Sequence, residues 1–450
     1  MVLHVVCAGL GLVALALAVL AVARSIPALA LFGLLSAILA WLSRPQRQTT
    51  KTGRWLRAAV AALALVFGLA VVTAVGWAWQ RADPPVPDAF YTAPSGADTA
   101  VPGTLLRHEA YTQAIPAGAR GWRMLYATTR DDGVPAVASA VVLAPGASVI
   151  GPRPLVAWTH GTTGFATGCA PTVLPAPFPF DAAVPAVPRL LAEGWALVGT
   201  DYVGLGTGGP HPYLIGQGEG RSALDAIRAV RQLGDTTVVW GHSQGGHAAL
   251  WTGGLASSYA PDVRLAGVAA LAPATDLPGL VAGIKDTPVG RIMLSFVLAA
   301  YGAAYPDVRF DEYVGPTRRA RGMAARCLSG PGALLSVATA VTMERSLFSR
   351  EPSDGPLTTR LRENVPTRPI GVPVLLAQGR SDTLVLPDVQ DRYVRARCDA
   401  GQAIDYRTYA GRDHLSVLAD DSPMVADLVT WTRDRFASVA AAGGCPTTTR

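Results

Sequence analysis

The chain has 450 residues, half of them hydrophobic, with 38 Lys and Arg set against 32 Asp and Glu. Its formal charge is +6 and its mean hydropathy +0.30, high for a purely soluble protein. These values exclude a disordered chain or a small disulfide scaffold, and the length allows one large domain with something added.

The additions lie at the front. Residues 1–82 hold seven basic and no acidic side chains, so the rest of the chain carries one net negative charge. The sequence pI near 9.2 therefore belongs to this segment, and the remainder has no basic footprint for nucleic acid. Three apolar runs occupy residues 2–23, 26–42 and 56–79. A helix crossing a hydrocarbon core of roughly 30 Å needs about 20 apolar residues, a length the first and third runs reach and the second only approaches. Arg44, Arg47, Lys51, Arg54 and Arg57 fill or edge the loop before the third run. Short positive loops stay in the cytoplasm, so a multi-pass anchor over residues 1–82 is expected to deliver everything beyond it to the outer face. The alternative is a third run removed as a signal peptide, which gives a secreted product. Cys7 lies inside the first run. Cys169, Cys327, Cys398 and Cys445 are even in number and lack C-x-x-C spacing, so disulfides are expected there rather than zinc.

Residues 81–100 are rich in Pro, Asp, Ala and Ser, a linker composition. Short apolar runs then alternate with helical patterns. Strands are expected at 122–128, 136–143, 154–159, 196–200, 237–240, 265–271, 372–377 and 404–409, and helices at 222–232 and 246–257. Continuous apolar strands alternating with helices predict an α/β fold with a mostly parallel central sheet. Residues 276–362 contain no strand pattern but several helical ones, 290–301 among them. This is too long for a connection and predicts a helical cap over about 276–365 inside a domain running from 83 to 450.

The sharpest motif is Gly241-His242-Ser243-Gln244-Gly245-Gly246. It follows the apolar run Thr237-Val-Val-Trp240 and precedes the small-residue helix Gly246-His-Ala-Ala-Leu250, the strand–turn–helix setting of a nucleophile elbow. A serine hydroxyl needs a base, and the base an orienting acid, in the chain order Ser, acid, His. Only His247 and His414 follow Ser243. His247 sits in the helix leaving the elbow and reads as a packing residue, which leaves His414. The turn Arg380-Ser381-Asp382 after the penultimate strand supplies the acid. Asp388 and Asp391 fall in the next helix, Asp405 in a strand, and Asp413 beside the histidine. Two amides are then needed for an oxyanion: one from Gln244, the other from His160-Gly161-Thr162-Thr163-Gly164. The stretch Gly204-Leu-Gly206-Thr-Gly-Gly209 matches a dinucleotide fingerprint, but Pro210-His211-Pro212 follows at once, so no helix can open on a pyrophosphate. No metal-ligand spacing occurs, and no cofactor is implied.

With these residues in place the chain resembles the secretory lipases, of the fungal lipase-A type with many bacterial members, from about residue 88 to 445. The likeness is carried by Phe90-Tyr-Thr-Ala-Pro-Ser95, Cys169-Ala-Pro171, Thr200-Asp201, the elbow, Arg380-Ser-Asp382 and Asp413-His414-Leu415. It implies an α/β-hydrolase fold with a cap before the acid, and a carboxylic ester hydrolase acting on lipid or small esters. It also implies Ser243, Asp382 and His414 as triad, Thr163 and Gln244 as oxyanion donors, and the pairings Cys169–Cys327 and Cys398–Cys445. Three departures stand out. Thr163 replaces an acidic residue, so acid tolerance does not carry over. The chain ends at Arg450, where those lipases continue into a flap, so access of long acyl chains is expected to differ. The N-terminal anchor is foreign to the pattern. Rival readings are an acyltransferase or peptidase on the same triad, or a membrane-tethered binding protein on a hydrolase scaffold, against which a complete triad argues.

Overall fold

The computed structural model describes residues 81–146, 152–175, 184–315, 317–343 and 347–450, with scattered positions between 55 and 80. Apart from those scattered positions, the three apolar runs lie outside the described residues. No helix among the described residues is long and apolar enough to cross a membrane. Residues 83–450 form one compact unit.

Its framework is a ten-stranded sheet. In chain order the strands are β1 (Leu105–Ala110), β2 (Ala119–Thr129), β3 (Pro135–Pro145), β4 (Leu155–Thr159), β5 (Ala196–Thr200), β6 (Thr236–His242), β7 (Arg264–Leu271), β8 (Val374–Gly379), β9 (Asp405–Tyr409) and β10 (Thr447–Thr449). They lie side by side as β1-β2-β3-β5-β4-β6-β7-β8-β9-β10. The β1–β2, β2–β3 and β3–β5 pairs are antiparallel, and the rest parallel. All eight expected strands are present; β1 and β10 are additional and sit at the two edges.

Strands β4, β5 and β8 are buried along their whole length, because helices cover both faces of the sheet. On one face α1 (Val187–Ala192) and α11 (Pro423–Phe436) pack on Trp158, Trp240 and Leu375 through Leu190, Leu428 and Trp431. On the other, α2 (Gly216–Ala229), α3 (Gln244–Tyr259) and α10 (Pro387–Asp399) pack on Tyr126, Val198, Val239 and Leu376.

Between β7 and β8 the chain leaves the sheet, and its described residues form six helices: α4 (Leu277–Ile284), α5 (Pro288–Ala304), α6 (Phe310–Tyr313), α7 (Thr317–Ala324), α8 (Gly330–Val341) and α9 (Pro356–Glu363). They build their own apolar core around Phe296, Leu298, Tyr301, Tyr313 and Met323. Buried Arg291 of α5 donates to the carbonyls of Ala340 and Met343, at 2.8 and 3.0 Å, and so satisfies acceptors at the end of α8. The glycine-rich stretch 204–209 is a loop, and the next helix starts only at Gly216.

Candidate active site

Ser243 stands between β6 and α3 with φ 56° and ψ −118°, a conformation that costs a non-glycine residue energy and persists only where surroundings enforce it. The enforcement is visible in the backbone. The Ser243 amide donates to Leu271 O at 2.9 Å, and the Ser243 carbonyl accepts from Ala274 N and His247 N, both at 3.1 Å. The flanking glycines are steric necessities. A Cβ on Gly241 would lie 2.0 Å from Gly245 O, and one on Gly245 would lie 1.9 Å from Thr159 O. Thr159 Oγ1 closes the same contact by donating to Gly245 O at 2.7 Å. The end of β4, which leads into the loop bearing Thr163, is thereby pressed against the start of α3.

His414 and Asp382 arrive from the loops after β9 and β8. His414 Nε2 lies 2.9 Å from Ser243 Oγ, and His414 Nδ1 lies 2.8 Å from Asp382 Oδ2. All three side chains are buried. Asp382 Oδ1 accepts from the amides of Leu384 and Val385, each at 2.8 Å, and Oδ2 also accepts from Gln378 Nε2 at 3.1 Å. Three donors thus aim this carboxylate at the imidazole. His242 Nε2 lies 2.9 Å from His414 O and steadies the loop from beneath. Asp413 turns away, its Oδ1 accepting from Leu415 N and Ser416 N.

The Thr163 loop is held from several sides. Thr163 O accepts from Leu328 N at 2.8 Å, Gly164 pairs with Cys327 in an isolated bridge, and Cys169 is disulfide-bonded to Cys327. Tyr202 OH donates to His160 O at 3.0 Å. Among the described residues, neither the Thr163 nor the Gln244 amide has a backbone acceptor. The Gln244 amide also belongs to the open N-terminus of α3, where unsatisfied N–H groups favour negative charge. The second disulfide, Cys398–Cys445, joins the end of α10 to the tail before β10.

Behind the elbow lies a polar cluster that the motifs give no sign of. Glu219 of α2 is fully buried; its Oε1 accepts from Gln244 Nε2 at 2.7 Å, and its Oε2 lies 2.9 Å from His247 Nδ1. His247 is thus a bonded member of this cluster rather than only a packing residue. An open cleft of about 580 Å³, with no triad residue among its walls, lies between the cap helices and the loop after Gly164. Phe165, Leu298, Val308, Phe310, Arg309 and Arg321 are among its walls. No group of three His, Cys, Asp or Glu suited to a metal ion occurs among the described residues.

A parallel-centred sheet with a strained serine at a strand–helix junction and a histidine and acid from later loops is the arrangement expected of an α/β-hydrolase fold. The secretory lipase family model matches residues 180–329. A Mycobacterium tuberculosis protein named "probable inactive lipase" is 26% identical over 391 residues, spanning 78% of this chain and 82% of the relative. Lipase 5 of Candida albicans is 25% identical over 415 residues, spanning 80% and 83%. In structure, Candida antarctica lipase A in its closed state superposes with a TM-score of 0.66 at 19% identity, covering 80% of this chain and 87% of that one, a likeness of fold. The resemblance to the secretory lipases therefore holds. The chain is a carboxylic ester hydrolase similar to the members of that family.

Proposed function

We propose that the chain cleaves lipid-like carboxylic esters through a covalent acyl-enzyme, on the outer side of the cytoplasmic membrane. The observation that carries this is the unbroken hydrogen-bonded line from Ser243 Oγ through His414 to Asp382. Ser243 Oγ attacks the ester carbonyl carbon while His414 Nε2 takes the hydroxyl proton, and the carbonyl oxygen gains the electron pair. The amides of Thr163 and Gln244 receive that oxyanion. Its collapse breaks the ester C–O bond, and the departing alcohol takes the proton from His414. Water then attacks the acyl-enzyme with its proton passing to the same nitrogen, releasing a carboxylic acid and restoring Ser243. Asp382 keeps Nδ1 protonated throughout, which leaves Nε2 free to act as base.

The apolar walls of the cap cleft support an apolar acyl or alcohol portion, and two disulfides support an oxidising compartment. The arginine-rich N-terminal segment with its three apolar runs supports tethering at the membrane. The complete Ser–His–Asp line speaks against a mere binding scaffold. The test is hydrolysis of p-nitrophenyl esters and labelling by a fluorophosphonate, using the full chain in detergent. Ser243→Ala is expected to abolish labelling and to lower turnover by at least about 10⁴-fold. Persistent labelling of that variant would move the nucleophile elsewhere and sink the proposal.

A further inference from the structure

The cluster behind the elbow contains a second buried carboxylate–histidine pair, and its donors and acceptors can be counted. Gln244 Nε2 donates both to Glu219 Oε1 at 2.7 Å and toward His211 Nε2 at 3.0 Å. His211 must accept there, and burial pushes its pKa down to about 3, so it is neutral. Glu219 Oε1 also receives the Leu214 amide at 3.1 Å. His247 has the opposite surroundings. Its Nδ1 faces Glu219 Oε2 at 2.9 Å, and its Nε2 faces the carbonyl oxygen of Asn364 at 2.8 Å. A carbonyl can only accept, so Nε2 carries a proton. The Nδ1–Oε2 contact then needs one more, whichever of the two atoms holds it. Glu219 and His247, both fully buried, therefore form a pair with zero net charge.

This pair is one side chain away from Gln244, whose amide is placed in the oxyanion hole above. We infer that Glu219 and His247 are positioning residues for the ester hydrolysis: they fix the Gln244 side chain and keep the ground behind the oxyanion electrically neutral. The inference rests on the proposed roles of Ser243 and Gln244. A bare carboxylate at Glu219 would oppose the negative charge that develops on the substrate oxygen, in a site too dry to screen it. A neutral amide at the same place would not. Glutamine at 219 can accept from Gln244 and Leu214 through its oxygen and donate to a neutral His247 through its nitrogen, so every bond survives.

The test is a double-mutant cycle on the full chain, with kcat and KM measured on a p-nitrophenyl ester. Glu219→Gln is expected to keep kcat within about 5-fold of the parent. His247→Gln leaves the Glu219 charge uncompensated, and kcat is expected to fall about 30- to 100-fold while KM stays within about 2-fold. Glu219→Gln in the His247→Gln background removes that charge and is expected to recover most of the loss. A double variant as slow as His247→Gln, or slower, would overturn the inference, since a merely structural role predicts accumulating damage. Should His247→Gln fail to fold, Glu219→Gln alone decides: a kcat loss beyond about 30-fold in a folded, stable variant also overturns it. Ser243→Ala is the separate control: activity surviving that change moves the nucleophile elsewhere and overturns the proposed reaction, whereas an inactive Ser243→Ala with a failed Glu219 cycle overturns this inference alone.

Discussion

Two buried carboxylate–imidazole pairs flank one serine, and the neighbour of the far ring nitrogen tells them apart. Asp382–His414 and Glu219–His247 are matched in length, at 2.8 and 2.9 Å. In the first, the far ring nitrogen meets the Ser243 hydroxyl, which can give a proton and take it back. In the second, the far nitrogen meets the Asn364 carbonyl, which can only accept. In the proposed mechanism the same two side-chain types therefore make a mobile proton on one side of the elbow and a locked one on the other. Burial and carboxylate contact are common to both, so neither property alone marks a catalytic histidine. The partner of the second nitrogen does.

Replacing each acid by its amide breaks this comparison most sharply. Asparagine at 382 would present an N–H to His414 Nδ1 and favour the tautomer that has no lone pair at Nε2. Asp382→Asn is expected to lower kcat about 10³- to 10⁴-fold, against at most about 5-fold for Glu219→Gln. Side-by-side kinetics on one ester read the contrast, and equal losses would erase it. The oxyanion loop comes next. Gly164 has φ 138°, and a Cβ there would lie 2.6 Å from Cys169 Sγ and 3.0 Å from Arg326 O. Gly164→Ala should push the Thr163 loop off its anchor, with kcat expected to fall about 10- to 100-fold.

The disulfides give a smaller contrast. Cys169–Cys327 closes a separation of 158 residues and ties the Thr163 loop to the cap, whereas Cys398–Cys445 closes 47 and holds only the tail. Replacing either pair with serine is expected to cost about 2–5 kcal/mol of stability, measured by denaturant unfolding. Only the first replacement should also lower kcat, by several-fold. Equal effects on turnover would show that the Thr163 loop keeps its place without the bridge.

Ser243, Asp382 and His414 could be picked out as candidates because an elbow has a steric signature in glycines and because only two histidines follow it. The Glu219 pair could not. Glycines at 216, 218 and 220 break the helical pattern, so α2 is expected from 222 and actually begins at Gly216. Gly216 and Gly220 are there because α2 and α3 pack closely, a Cβ on Gly216 lying 2.0 Å from the Trp251 ring, while one on Gly218 would lie 2.7 Å from Pro212. Glu219 falls inside this concealed turn, where an acidic residue reads as a solvated helix start. The two missed strands have a different cause. β1 (Leu-Leu-Arg-His-Glu-Ala) is half exposed, and β10 is three exposed threonines, so neither offers the apolar pattern that marks a covered strand. Pairing along the sheet edge, and for β10 the nearby disulfide, places them instead.

A third buried acid sharpens the contrast further, because it has no imidazole at all. Asp201 Oδ2 accepts from Ser139 Oγ and Thr172 Oγ1, both at 2.5 Å, and Oδ1 from Thr172 N at 3.0 Å. Burial outweighs these three donors and pushes its pKa up to about 6. An unfolded aspartate titrates near 3.9, so between these values the folded chain holds a proton that the unfolded chain has lost. The stability this proton contributes is complete below about pH 4 and disappears as the pH rises through about 6, a swing of up to about 3 kcal/mol. Asp201→Asn is neutral at every pH, and either hydroxyl can turn to accept from its amide. The variant is therefore expected to gain Tm relative to the parent as the buffer goes from pH 4 to pH 7.5. Parallel Tm curves for the two chains would mean that Asp201 ionises as easily inside the fold as outside it, and that its three donors make up for the lost water without help from an opposite charge.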